Sequence, residues 1–244
     1  MPLNSHLCSY DGHGNGSILL MGNSYAMRHF WPLMKELKGN YRKLYLASQL
    51  SCTVFRKLNN PVWNCNYITS RYLEIMDFLR PDITIITQRV SDIPALDTPL
   101  SSFEAAKTDR MTGILREYWR EYSNYTKQII VVEPHPTFEK IISIDLPQMI
   151  RVNQEISSYS FSKEYVENQI NPSWWRVLAS LDDCDICSIV PIRHRFFTEE
   201  GQYDIIDSKT NLSLFCDTSH YSSVGSARIV PDVVKAINFD LLSG

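Results

Sequence analysis

The hydrophobic pattern of this chain alternates between short, continuously apolar runs and longer amphipathic stretches. Residues 17–21, 43–48, 82–87, 128–133 and 184–192 are apolar or β-branched runs of strand length. Between them the apolar positions fall at helical spacing. Met27, Phe30, Trp31, Leu33, Met34 and Leu37 follow the first run, and residues 71–79 precede the helix-stopping Arg80-Pro81. Residues 103–127 form the longest such stretch, with Met111, Ile114, Leu115, Tyr118, Trp119 and Tyr122 on one face. Two shorter helical segments are expected at 162–170 and 174–181, and another carries Ala227, Ile229, Val230, Val233, Val234 and Ile237. Strands apolar throughout must be covered on both faces, and alternation with helices implies a parallel sheet. The pattern predicts an α/β fold: a three-layer α/β/α sandwich with a mainly parallel central sheet, flavodoxin-like in outline. Residues 1–16, with Asp11, Gly12, Gly14, Asn15 and Gly16, read as a loose lead-in, and residues 17–244 as a single domain.

The first apolar run breaks abruptly at Gly22-Asn23-Ser24, where the first helix begins. A serine on such a turn stands at the carboxyl end of a strand and beside free helix-start amides, which favour negative charge. Asn and Ser are also preferred helix caps, so capping alone is the plainer reading of this segment. Nearly two hundred residues later comes Asp217-Thr218-Ser219-His220-Tyr221-Ser222-Ser223-Val224-Gly225. An Asp three residues before a His can orient its imidazole, and that His can act as general base for a distant serine. Together the two blocks make Ser24, Asp217 and His220 the candidate catalytic residues.

Early Gly-x-Ser-x-Ala and late Asp-x-x-His-x-Ser-x-x-Gly resemble the SGNH (GDSL-like) hydrolase superfamily. They resemble most closely the SGNH domain appended to membrane-bound acyltransferase family 3 proteins. The likeness spans about residues 17 to 238 and is carried by the two short blocks. It implies serine-dependent acyl transfer or ester hydrolysis through an acyl-Ser24 intermediate. The acyl group would be acetyl and the acceptor a carbohydrate or lipid-linked hydroxyl. It also implies an acyl donor and an acyltransferase transmembrane domain as partners. The chain departs from the wider superfamily in carrying Asn23 where Asp is usual. The superfamily's middle-block Gly and Asn oxyanion donors have no assignable match. Gly22, Asn23 and Arg89 are therefore the oxyanion or substrate candidates, beside the Ser24 backbone amide. Arg89 follows Thr87-Gln88 at a strand end, as in the appended domains; a solvent-facing arginine is its plain alternative.

Composition narrows the field. With 244 residues, 44% hydrophobic content and a net charge of −3, the chain has enough for a core and no basic footprint for nucleic acid. No apolar run has the length of a membrane span, and no charged and apolar leader opens the sequence. This suits a domain of a larger membrane protein or an intracellular protein. Sequons at Asn15, Asn124 and Asn211, and an even set of six cysteines, lean toward the lumenal or extracellular side of a membrane. A Cys52–Cys65 bridge is favoured, Cys187–Cys216 is plausible, and buried free thiols are the bland reading, including for Cys184-Asp185-Ile186-Cys187. His135 reads as a turn residue, His29 as packing or surface, and Arg193-His194-Arg195 as solvated loop charge. No cofactor or metal is expected, since no glycine-rich phosphate loop and no ligand spacing occur. Two alternatives stand beside the acyltransferase: a free-standing esterase, and a weakly catalytic module that binds a glycan or a partner.

Overall fold

A computed structural model describes residues 4–91, 93–154, 156 and 159–243. Its elements run, in chain order, β1 (Ser5–Asp11), β2 (Ser17–Gly22), α1 (Ser24–Leu37), β3 (Lys43–Gln49), α2 (Tyr72–Leu79), β4 (Ile83–Thr87), α3 (Phe103–Lys107), α4 (Arg110–Tyr122), β5 (Gln128–Val132), α5 (Ile142–Arg151), β6 (Ser160–Ser162), α6 (Lys163–Ser180), β7 (Cys187–Val190), β8 (Gln202–Asp204) and α7 (Ser223–Lys235). The main sheet has the order β1-β3-β2-β4-β5-β7, parallel except for β1; β6 and β8 form a small separate ribbon. Every residue of β2 and of β4 is buried, as their unbroken apolar sequences require. Helices α1 and α7 pack together, while α4 packs on α2 and α6, giving the layers on the two faces. This is the expected α/β sandwich.

Sheet register determines where chemistry can be built. Gly22 pairs with Ser48 on one side and Thr87 on the other; Thr87 pairs with Val132, and Val132 with Val190. All these strands therefore end at one edge. From β2 the chain crosses to β3, then returns past β2 to β4, so the winding direction reverses between β2 and β4. Ligands in open α/β sheets bind at such a switch point, outside the carboxyl ends of the strands. Ser24 follows β2 and Arg89 follows β4, on either side of it.

Several sequence expectations are corrected by long-range contacts. The loose lead-in is a strand: β1 runs antiparallel along β3, from Ser5 opposite Gln49 to Asp11 opposite Lys43. The single helix expected over 103–127 is two, because Asp109 leaves the helix. Its carboxylate caps α4 at the Met111 amide (2.8 Å) and pairs with the buried Arg176 (3.0 Å) on α6. Conversely, the two segments around Pro172 merge into α6. Cys52 and Cys65 are bonded as favoured, but Cys187 joins Cys184 rather than Cys216. Cys187 opens β7 at the amino edge, where its amide bonds the Cys184 carbonyl (3.0 Å); Cys216 lies on the His220 loop at the carboxyl edge. Cys8 and Cys216 are free thiols. All three sequon asparagines are exposed.

Candidate active site

The first half of the site is cut into the sheet. Gly22 has φ +146°, and a Cβ there would lie 2.0 Å from the Thr87 carbonyl oxygen, so β2 and β4 can meet at this edge only with glycine. The Tyr72 hydroxyl donates to the Gly22 carbonyl (2.9 Å). Asn23, 2% exposed, caps α1: its Oδ1 accepts from the Tyr25 amide (3.2 Å). The same oxygen accepts from the Arg89 amide (3.2 Å), and Nδ2 donates to the Arg89 carbonyl (3.0 Å). One side chain thus clamps the strand end of β4 to the start of α1. Aspartate could not do this, because the Arg89 carbonyl needs a donor. Ser24, half-buried, is the first residue of α1. Arg89 turns its Nε to Ser91 Oγ (3.1 Å), while Gln88 is buried and accepts the Val54 amide (2.8 Å).

The second half is a self-capped loop. The Cys216 amide bonds the His220 carbonyl (2.9 Å), and Asp217 Oδ1 accepts the amides of Ser219 and His220 (both 2.8 Å). The carboxylate also meets His220 Nδ1 at 2.8 and 2.9 Å through its two oxygens. Burial pushes the Asp217 carboxyl up, and the hydrogen bonds from Ser219 and His220 outweigh it, so Asp217 titrates below the ordinary carboxylate range. An ionised Asp217 holds the proton on Nδ1, which leaves Nε2 as acceptor. That Nε2 is buried and, among the described residues, has no hydrogen-bond partner. Phe138, before α5, and Ser143, in its first turn, brace the loop from outside, with Phe138 N on the Thr218 carbonyl (2.8 Å) and Ser143 Oγ on that of Cys216 (2.6 Å). Gly225 lets the loop approach α7, since a Cβ would sit 2.1 Å from the Leu214 carbonyl oxygen.

Tyr25, next to Ser24, joins the two halves. Its ring meets His220 edge-on at 6.0 Å and stacks on His135 at 3.9 Å. His135 in turn packs on Tyr221 at 4.0 Å and keeps Nδ1 on the Pro136 carbonyl (3.1 Å). His29 is buried under the same cluster, with Nδ1 on Thr87 Oγ1 (3.0 Å). Burial, aided by the nearby His220, lowers His29 to about 4, and burial lowers His135 well below its usual value. His135 is thus a buried residue of the strand-end turn, and His29 a packing residue rather than a surface one.

The basic cluster is not solvated charge throughout. Arg193 Nε lies 2.5 Å from Glu133 Oε1, with Glu133 6% exposed, and the Glu133 carboxylate also takes the Ile192 and Arg193 amides (2.8 and 3.0 Å). This pair ties the ends of β5 and β7 together. Its partners stand 60 residues apart, and no local pattern signals them. Arg195 and His194 pair with Asp232 of α7.

The family profile described as SGNH domain (fused to AT3 domains) matches residues 2–235. The chain belongs to the SGNH family. Among solved structures, the fold of this SGNH domain is similar to a lipopolysaccharide acetyltransferase periplasmic domain from Salmonella ser. Paratyphi A. The two share 12% identity over 91% of this chain and 84% of that one, with a TM-score of 0.60. TesA aligns at 12% identity over 93% and 99% of the two chains (TM-score 0.53). An acetyl xylan esterase from Geobacillus stearothermophilus aligns at 15% over 94% and 97% (TM-score 0.52). No curated relative matches this SGNH domain in sequence. Among the described residues no helix is long and apolar enough to cross a membrane.

Proposed function

We propose that this domain moves a short acyl group, acetyl foremost, onto or off a carbohydrate or lipid-linked hydroxyl through an acyl-Ser24 intermediate. The observation that carries the reading is the Asp217–His220 pair at 2.8 Å, with a buried and unpartnered Nε2 beside the Ser24 turn. Ser24 Oγ attacks the donor's carbonyl carbon while Nε2 takes its proton. The C=O electrons become an oxyanion, and their return expels the leaving group, which receives the proton from His220. An acceptor hydroxyl, or water, then gives its proton to Nε2, attacks the acyl carbon and releases Ser24, which recovers the proton. Asp217 stabilises the imidazolium in both halves.

For the oxyanion, the donor best supported is the Ser24 backbone N–H, since Asn23 already occupies the Tyr25 amide and the α1 dipole favours negative charge there. Arg89 is the second candidate. Gly22 and Asn23 act as positioning residues, one by close packing and the other by clamping β4 to α1. The periplasmic placement of the acetyltransferase neighbour and the two disulfides support a site on the outer or lumenal face of a membrane. Fusion in the family to AT3 domains supports a membrane acyltransferase domain as the source of acyl groups. The test is turnover of para-nitrophenyl acetate by the native domain, Ser24→Ala and His220→Ala. Turnover that survives in either variant at the native rate rules out the acyl-serine route.

A further inference from the structure

Between α1 and α7 runs an open groove of about 890 Å³ that begins one helical turn beyond Ser24. Met27 and Arg28 line its near end from α1, and Tyr221 and Ser222, directly after His220, line it from the other side. The groove therefore starts beside both catalytic blocks, one helical turn from Ser24 and one residue from His220. Its floor is apolar, with Met34 and Val230. On its α1 rim, Arg28, Trp31 and Lys35 follow one another at i, i+3 and i+7, so one helix face presents a cation, an indole and a second cation across about 10 Å. Trp31 is 66% exposed, far beyond what packing requires of an indole on an amphipathic helix. Among the described residues neither Arg28 nor Lys35 has an ion-pair partner; Glu36 is the one acidic residue of the lining.

We propose that this groove is the acceptor subsite and that it takes an anionic saccharide, with a sugar ring stacked on Trp31 and acidic substituents held by Arg28 and Lys35. An aromatic face suits the C–H side of a pyranose, and flanking cations select for carboxylate or phosphate on the same chain. The inference rests on the acyl-Ser24 reading for the word acceptor; the binding itself does not. A basic, indole-bearing stripe could equally meet an anionic lipid surface. The saccharide is favoured because the near end of the groove is lined by residues directly following the two catalytic blocks.

The test is calorimetric titration of trigalacturonate, phosphorylated maltotriose and neutral maltotriose into the native domain and Ser24→Ala. The same titrations are made into Trp31→Ala and the double variant Arg28→Glu/Lys35→Glu, whose exposed side chains leave the core untouched. An anionic trisaccharide should bind native and Ser24→Ala alike, at least about tenfold more tightly than maltotriose, and about tenfold more weakly in both groove variants. The tighter of the two anionic probes identifies the acidic group. Bound probe should also slow fluorophosphonate labelling of Ser24. No binding, equal binding of neutral and anionic probes, or binding unchanged in the groove variants overturns the proposal. So does a loss in those variants only of co-sedimentation with vesicles of phosphatidylglycerol, which assigns the stripe to a membrane. Groove-dependent binding with an unreactive Ser24 removes the acyl-transfer reading and leaves the saccharide site standing.

Discussion

The two catalytic blocks are built by different means. The Ser24 turn is an extension of the sheet: strand register, a glycine whose missing side chain lets the Thr87 carbonyl come close, and an asparagine clamp to β4 fix it. The Asp217–His220 loop owes nothing to the sheet. It is closed on itself by one carboxylate that caps two amides and orients the imidazole, and it is braced by Phe138 and Ser143. The nucleophile is thus positioned chiefly by strand backbone, with one side-chain clamp beside it. The base is positioned by a side chain that one substitution can remove.

Asp217→Asn attacks the one side chain that orients the imidazole. It should lower kcat about a thousand- to ten-thousand-fold, because an amide can present N–H to Nδ1 and stabilise the wrong tautomer. The fold should survive, as read by circular dichroism. Gly22→Ala makes the opposite break. Nothing at the reacting atoms changes, yet a methyl group meets the Thr87 carbonyl at positive φ, and a loss of about 3 kcal/mol or more is expected in urea titrations.

Acid sharpens the contrast at the seam between the blocks, where His29 and His135 are buried. Their folded pKa values lie below the unfolded one, so on acidification the unfolded chain takes up protons first and stability falls. With His29 at about 4 against about 6.5 unfolded, this residue alone should remove about 2 kcal/mol between pH 7 and pH 5, with His135 adding in the same direction. The depressed Asp217 carboxyl stabilises the fold above the unfolded carboxylate range, and that contribution is lost only as the pH falls below about 4. Urea titrations at the two pH values measure the difference, and a flat profile contradicts the buried neutral histidines. The smallest effect is expected from Asn23→Asp, which keeps the Tyr25 and Arg89 amide bonds but faces the Arg89 carbonyl with an acceptor. A loss of about 1–2 kcal/mol and a kcat lowered about tenfold are expected, measured by the same titrations and by ester turnover.

What was legible in the sequence follows the same division. The strand-turn-helix at Gly22-Asn23-Ser24 declares itself because the sheet demands an unbroken apolar run and the turn a glycine. Asp217-x-x-His220 declares itself because the loop is local, with all its parts within four residues. What stayed hidden depends on partners far apart in the chain. The helix break at Asp109 answers to Arg176, the Arg193 pair answers to Glu133, and β1 is an edge strand whose exposed face carries little hydrophobic pattern. The Cys187–Cys216 expectation failed because it joined opposite edges of the sheet, which only the strand direction reveals. The clamp role of Asn23 was also invisible, since it needs β4 beside β2.

Labelling with a serine-reactive fluorophosphonate, located by peptide mass spectrometry, tests the central claim most directly. Adduct on Ser24 alone, absent in Ser24→Ala and slowed at least about a hundredfold in His220→Ala, is the predicted result. A folded native domain whose Ser24 stays unlabelled, or labels equally fast without His220, contradicts an activated nucleophile at this corner.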